Sequence, residues 1–260
     1  VKNKKPSEAE TVVTGFLNSE LQFKAVMQEL IKLKTSNIDA NFLKVIERLQ
    51  ELITVQEKLQ LFLNMKDKIM KVVDIYSSYA HDFEFYVKYN RTFEAMRKSK
   101  ESITSVSDLE LKKLEMVHQR ILFYQDSFAR FRKLIKNEHS RARIELLMEQ
   151  LKTAQLRIDD LLIVDSISNS PILLDPYVPI INRCKFHVIG IGFDDSVTYE
   201  LLLFSFSLLV IAKSKENDNL HFVDAVRLDQ TELVHDKQQN TLEMSVHYGE
   251  RRGSETIKLR

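Results

Sequence analysis

From Pro6 to Pro171 the chain has no proline, and in that span its only glycine is Gly15. These two residues are the strongest interrupters of regular backbone, so their absence lets long helices run. Five glycines in 260 residues are also too few and too scattered for a phosphate-cradling loop. Cys184 is the single cysteine, which excludes an intrachain disulfide and a cysteine-based zinc cluster and fits a reducing compartment. With no catalytic partner in view, Cys184 reads as a small apolar strand residue. There is no tryptophan and no HExxH pattern. The formal net charge of +1 supplies no global basic field, which disfavours a nucleic-acid partner. The N-terminus is polar and charged, unlike a secretory leader. The most apolar run, Leu201 to Ala212, is too short to span a bilayer as a helix and reads as two buried strands joined by a tight turn.

What is present divides in two. Hydrophobic residues make up 44% and charged residues 29%, an ordinary globular composition with enough apolar mass for a sizeable core. Ser7 and Glu10 form a capping box that opens a first helix, with Val12, Phe16, Phe23, Met27 and Leu30 along one stripe. Thr35-Ser36-Asn37 reads as a break. A second helix carries Phe42, Ile46, Leu49 and Ile53. Asn64 to Lys68 is a turn or kink, followed by a helix with Val72, Val73 and Tyr76. Phe83, Phe85, Tyr86, Tyr89 and Phe93 mark an aromatic helix. No Arg/Lys groove interleaves those rings, so they read as core and not as a base-stacking platform. Lys98 to Ser107 is a polar loop, and Ser107 with Glu110 forms a second capping box. The helix it opens keeps Leu114, Val117, Ile121, Tyr124, Phe128, Phe131 and Ile135 on one face. Beyond Asn137 to Ser140, either a turn or one polar helical turn, the pattern continues to Leu161.

After Ser166 the period changes. Residues 167–179 are rich in Ser, Asn and Pro and read as a linker. Six strands are expected at 184–191, 198–204, 208–213, 220–228, 241–247 and 255–259, separated by polar hairpin loops. The expected architecture is an elongated all-α bundle over 7–165, a linker over 166–182 and a small antiparallel β-sandwich or barrel over 183–260. The seven histidines are scattered, and no nucleophile, base and oxyanion donor assemble in the pattern. No cofactor and no metal are expected. Recognition of another protein is the better reading than covalent catalysis.

The segment Val117-His118-Gln119-Arg120-Ile121-Leu122-Phe123-Tyr124 resembles the PVQRIxRYPLLL segment of Dbl homology domains, the exchange factors for Rho-family GTPases. Phe128 to Lys136 is similar to the continuation of that helix. Val12 to Phe23 is similar to the family's opening VIxELLxTExxYV, and Tyr86, Tyr89, Asn90 and Ala95 to its YxxYxxNxxxA helix. Downstream, Tyr199 to Ser205 and Leu208 to Lys213 resemble the hLFLFxDLLLxxK hairpin of a pleckstrin homology domain, which follows the Dbl domain in such proteins.

The resemblance implies a module that binds a Rho-family small GTPase and accelerates GDP release without covalent chemistry. Its binding face would include Gly15, Ser19, Met116, Arg130, Lys133, Asn137 and Asp159. Three of these depart from the family: Gly15 stands where a glutamate engages the first switch, Asp159 where an asparagine contacts the second, and Met116 with Val117 where the family has a lysine-proline pair. An exchange-deficient scaffold or adaptor is therefore the alternative, as is an unrelated helical adaptor with an appended β domain. Gln119 and Arg120 read as internal hydrogen-bonding residues that fix bundle packing. For the β unit the resemblance implies a phosphoinositide surface flanked by Arg183, Lys185, Lys213 and Lys215, with Asp194, Asp195, Glu216 and Asp218 opposing it. The expected location is cytoplasmic, peripheral at the plasma membrane or cell cortex. The chain ends around the sixth strand of such a sandwich, so the seventh strand and the closing helix are expected to be absent.

Overall fold

The computed structural model describes residues 6–32, 40–63, 68–99, 106–189, 193–194, 197–214, 219–236, 241–247 and 254–259. The break at Thr35-Ser36-Asn37, most of the turns at 64–68 and 98–107, and the loop residues Asp195, Lys215, Glu216 and Asp218 lie outside them. So do 237–240 and 248–253. The described chain forms two compact units, Val1–Ile158 and Asp159–Arg260.

The first unit is helical. Its elements are α1 (Glu8–Ile31), α2 (Ala40–Phe62), α3 (Ile69–Ser78), α4 (Phe83–Lys98), α5 (Asp108–His118), α6 (Arg120–Leu134) and most of α7 (Glu138–Ser166). Both capping boxes form: the Ser7 and Ser107 hydroxyls accept from the N–H groups of Glu10 and Glu110, whose carboxylates accept from the two serine N–H groups at 2.7 and 2.8 Å. Each box satisfies backbone donors that a helix start otherwise leaves open. The expected apolar stripes are the buried ones. Phe16, Phe23 and Met27 on α1 are buried, and Phe16 packs among Tyr76, Tyr124, Phe128 and Phe131, edge-on to Tyr76 at 5.5 Å and to Phe131 at 5.4 Å. The aromatic helix is core, as its spacing suggests: Phe83, Tyr86, Tyr89 and Phe93 are buried.

The helix expected from 108 to 135 is two helices. Gln119 leaves helical geometry (φ −84°, ψ 4°) and joins α5 to α6. The apolar stripe Leu114, Val117, Ile121, Tyr124 crosses this kink without interruption, which is why periodicity alone does not register it. Ile135 is extended, and the Asn137 carboxamide accepts from Ser140 N–H at 2.9 Å to start α7, so the polar 137–140 stretch is a true helix boundary.

The second unit is a twisted antiparallel meander. Its strands are β1 (Ile167–Ser168), β2 (Ile180–Ile189), β3 (Thr198–Phe204), β4 (Leu208–Ser214), β5 (Leu220–Arg227), β6 (Thr231–Asp236), β7 (Thr241–His247) and β8 (Ser254–Leu259), in spatial order β1-β5-β4-β3-β2-β8-β7-β6. β2 serves two sheets. Residues up to His187 pair with β3, while Val188 and Ile189 pair with β8. Val188, Tyr199, Leu201, Ile211, Val226 and Leu259 fill the core of the meander. The other face of the first sheet, with Leu202, Phe204 and Val210, is covered by Val164, Ile167 and Leu174.

Two expectations change here. β6 supplies a strand the sequence reading omits, so β2 to β8 make seven antiparallel strands and not six. The omission has a physical cause: β6 is an edge strand whose outer positions, Glu232 and Val234, face solvent, so its alternation is diluted. The linker also contributes structure. Ile167 and Ser168 pair in parallel with Leu220 and His221.

Candidate functional site

The candidate surface is built on α1. Apart from its capping turn, each charged residue of α1 is engaged with another helix. Glu20 is buried against Arg120, Lys24 meets Glu57 at 3.6 Å, and Glu29 accepts from Lys113 at 2.6 Å. Lys113 holds the Glu29 carboxyl below its ordinary range by that hydrogen bond and by its charge. The outward positions Thr11, Gly15, Asn18, Gln22 and Ala25 are exposed, share one face by their 4-3-4-3 spacing, and carry no charge. A Cβ built on Gly15 meets nothing within 4 Å.

Beneath that face lies a polar network that joins four helices. Arg120 at the start of α6 is 5% exposed and donates to the Glu20 carboxylate. Its other terminal nitrogen donates to Ser19 Oγ at 3.2 Å. Its guanidinium lies 4.2 Å from the Phe23 ring centroid and 4.0 Å from that of Phe123. Tyr124 O–H donates to the other Glu20 oxygen at 3.3 Å, and Gln56 on α2 donates to Tyr124 at 2.7 Å and to Tyr86 on α4 at 3.2 Å. Burial works against the Arg120 charge, but Glu20 and the two tyrosine hydroxyls outweigh it and raise its pKa. Burial, reinforced by the Glu20 charge, pushes Tyr86 up to about 12 and holds Tyr124 well above its ordinary value.

The structure places the expected residues unevenly. Gly15 and Ser19 sit one turn apart on α1, and Arg120 ties Ser19 to α6. Met116 is exposed on α5, which packs against α1 through Lys113. Arg130 and Lys133 are exposed on the last turns of α6. The Asn137 side chain is engaged as the start of α7, and Asp159 is exposed in the second unit. Arg120 takes the internal role expected of it, whereas Gln119 is exposed at the kink. Glu20 is the residue the sequence reading passed over. It stands on the buried stripe Val13, Leu17, Glu20, Phe23, Met27, and a carboxylate on such a stripe asks for a buried cation.

In the β unit the basic candidates do not converge. Arg183 and Lys185 share a face of β2 with Glu200 of β3, and Arg183 is ion-paired to that glutamate. Lys213 is opposite Tyr199 on β4, which puts it on the other face, and Lys215 lies outside the described residues. Cys184 is partly buried against the meander core, and burial pushes its thiol pKa up, the reverse of an activated nucleophile. Among the described residues, no group of His, Cys, Asp and Glu is arranged to hold a metal, and no helix is long and apolar enough to cross a membrane.

No family model matches the chain, and no curated protein matches it. Solved structures do. Vav1 bound to an allosteric inhibitor is similar at 12% identity and TM-score 0.57, over 96% of this chain and 75% of that one. Autoinhibited Vav1 is similar at 13% identity and TM-score 0.56, over 98% and 55%. The linker-DH/PH domains of p115-RhoGEF are similar at 12% identity and TM-score 0.54, over 97% and 91%. Identities this low carry architecture alone. The described helices, followed by the antiparallel strands of the second unit and aligned over nearly the whole chain with these structures, give this protein a tandem Dbl homology–pleckstrin homology RhoGEF-like fold.

Proposed function

We propose that the helical unit binds a Rho-family small GTPase on the surface of α1, α5 and α6 and acts as a guanine-nucleotide exchange module. The observation that carries this reading is the solvent face of α1. In a chain with 29% charged residues, this helix buries Glu20 and ties Lys24 and Glu29 to neighbouring helices, which leaves the uncharged Thr11, Gly15, Asn18, Gln22 and Ala25 open between the exposed Glu8 and Glu29. A helix face that presents no charge and needs little desolvation suits a protein partner, and Arg130 and Lys133 supply a basic flank for acidic groups on it. Exchange requires that the module favour the nucleotide-free GTPase over the loaded one, since only differential affinity shifts the equilibrium. Such a module acts in the cytoplasm at the membrane periphery.

Gly15 favours a second reading, a module that holds a GTPase without discharging it. The position offers open space and no carboxylate. A fluorescent-GDP release assay across Rho-type GTPases separates the two. Acceleration of roughly tenfold or more, lost in Lys133→Ala with Asp159→Ala, supports exchange; tenfold corresponds to about 1.4 kcal/mol in the barrier. Binding without release, converted to release by Gly15→Glu, supports the second reading. Absence of binding to every GTPase tested refutes both.

A further inference from the structure

The β3–β4 connection, Ser205–Ser207, has an unusual backbone. Phe206 (φ 57°, ψ 30°) and Ser207 (φ 56°) are both left-handed. Hairpins assign such positions to Gly, Asn or Asp, because a Cβ crowds the backbone there, and a bulky side chain is an outlier. Phe206 is nevertheless 74% exposed, so nothing in the fold rewards its ring.

It is not alone. Ser205 N–H donates to Pro179 O at 3.0 Å and Ser205 Oγ to Tyr177 O, which fixes the turn beside the segment entering β2. That segment exposes Leu173 (70%) and Ile181 (63%), with Ile172 next to Leu173 also exposed. Leu174, Phe204 and Leu208 are buried in one cluster underneath, so these apolar groups stand on a packed base. Residues 170–182 and 204–209 contain one charged residue, Asp175, in a chain of which 29% is charged. Two arginines bound the zone: Arg183 on β2 and Arg227, the cross-strand partner of Leu208, each half-exposed and each held by one carboxylate, Glu200 or Asp229.

We propose that this end of the β unit is a membrane-insertion tip. Phe206, Leu173 and Ile181 enter the interfacial region of a bilayer while Arg183 and Arg227 stay at headgroup level. The arrangement selects a lipid surface because Phe206 projects from a hairpin end, and Leu173 and Ile181 are exposed on the segment hydrogen-bonded beside that hairpin. The partner must therefore supply the cavity, and a fluid bilayer does so without shape complementarity. A zone with a single charge among exposed apolar groups, an aromatic tip and basic residues at its border is the pattern that sits in a membrane interface. The contact needs no headgroup pocket and is independent of whether the helical unit binds a GTPase.

The test is sedimentation of the full 260-residue chain with sucrose-loaded phosphatidylcholine vesicles, and with the same vesicles containing a phosphoinositide, alongside thermal unfolding. Wild type is expected to bind both. Phe206→Asn is expected to weaken binding roughly tenfold or more, the loss of one buried aromatic side chain. The same variant is expected to raise Tm, because Asn tolerates the left-handed backbone. Opposite movements of binding and stability are what a merely structural Phe206 does not produce. Absence of vesicle binding by wild type overturns the proposal. So does binding that requires the phosphoinositide and ignores Phe206→Asn, which would assign it to a headgroup site. Self-association in ultracentrifugation that disappears in Phe206→Asn would assign the tip to a second copy and also overturn it. A lowered Tm in Phe206→Asn refutes the strain argument.

Discussion

Replacing Arg120 by methionine tests the account of the helical core directly. The substitution keeps an unbranched apolar stem near Phe23 and Phe123 but leaves the Glu20 carboxylate buried with Tyr124 as its remaining partner among the hydrogen bonds described above. Breaking a buried ion pair from one side costs about 3–5 kcal/mol, mostly the penalty of the stranded charge. For a unit of this size each kcal/mol moves Tm by about 2–4 °C, so Arg120→Met should melt on the order of 6–20 °C lower. Glu20→Gln with Arg120→Met removes the stranded charge and should recover more than half of the loss, because removing both charges of a buried pair is often nearly neutral. Arg120→Lys should fall between. It keeps the charge but loses the planar fork that bonds Glu20 and Ser19 together and stacks on two rings. The assay is urea unfolding followed by the helical circular-dichroism signal. An Arg120→Met variant within about 1 kcal/mol of wild type, or a double variant whose loss equals the sum of the singles, would show that the pair is not coupled as described.

The same core makes a pH prediction. Burial raises the pKa of Tyr86 to about 12 and holds those of Tyr76, Tyr89 and Tyr124 well above their ordinary value, against about 10 in the unfolded chain. The unfolded state therefore loses protons above about pH 10 that the folded state keeps, so stability is retained below that pH and falls as pH rises from 10 towards 12. The limiting slope is about 1.4 kcal/mol per pH unit per tyrosine, or roughly 5 for the four. Absorbance near 295 nm should show these tyrosines ionising only as the helical signal collapses; a full ordinary titration with the helices intact would contradict their burial. At the surface, Gly15→Ala should stabilise the helical unit by about 0.5–1 kcal/mol, since the added methyl meets open space and glycine weakens a helix interior. A lower urea midpoint for that variant would mean that the Gly15 backbone serves something a methyl disrupts.

What could be read from the chain was local. The capping boxes at Ser7 and Ser107, the stripes through Phe16, Phe23 and Met27, and the core role of Tyr86 and Tyr89 all follow from contacts three or four residues apart, which the order of residues states outright. The order of helices and strands, and with it the tandem fold, was legible for the same reason. Where local pattern was weak, the reading failed: β6 hides its alternation at a sheet edge, and the kink at Gln119 leaves the apolar stripe continuous.

The candidate site was only partly legible. That Glu20 and Arg120, one hundred residues apart, satisfy each other is decided by how α1 and α6 pack. Neither position announces its partner, although each places a charge on an apolar stripe. The uncharged outer face of α1 was likewise invisible until Lys24 and Glu29 were seen to turn toward Glu57 and Lys113. The basic residues expected to gather in the β unit came from two separate strands, and strand pairing put Lys213 on the opposite face from Arg183 and Lys185. The chain by itself determined which segments form helices and strands and which side of each is apolar, because those follow from short-range sterics and burial periodicity. Which charges neutralise one another, and therefore which surface is left for a partner, only the tertiary structure decided, because electrostatic pairing depends on distance in space and not along the backbone.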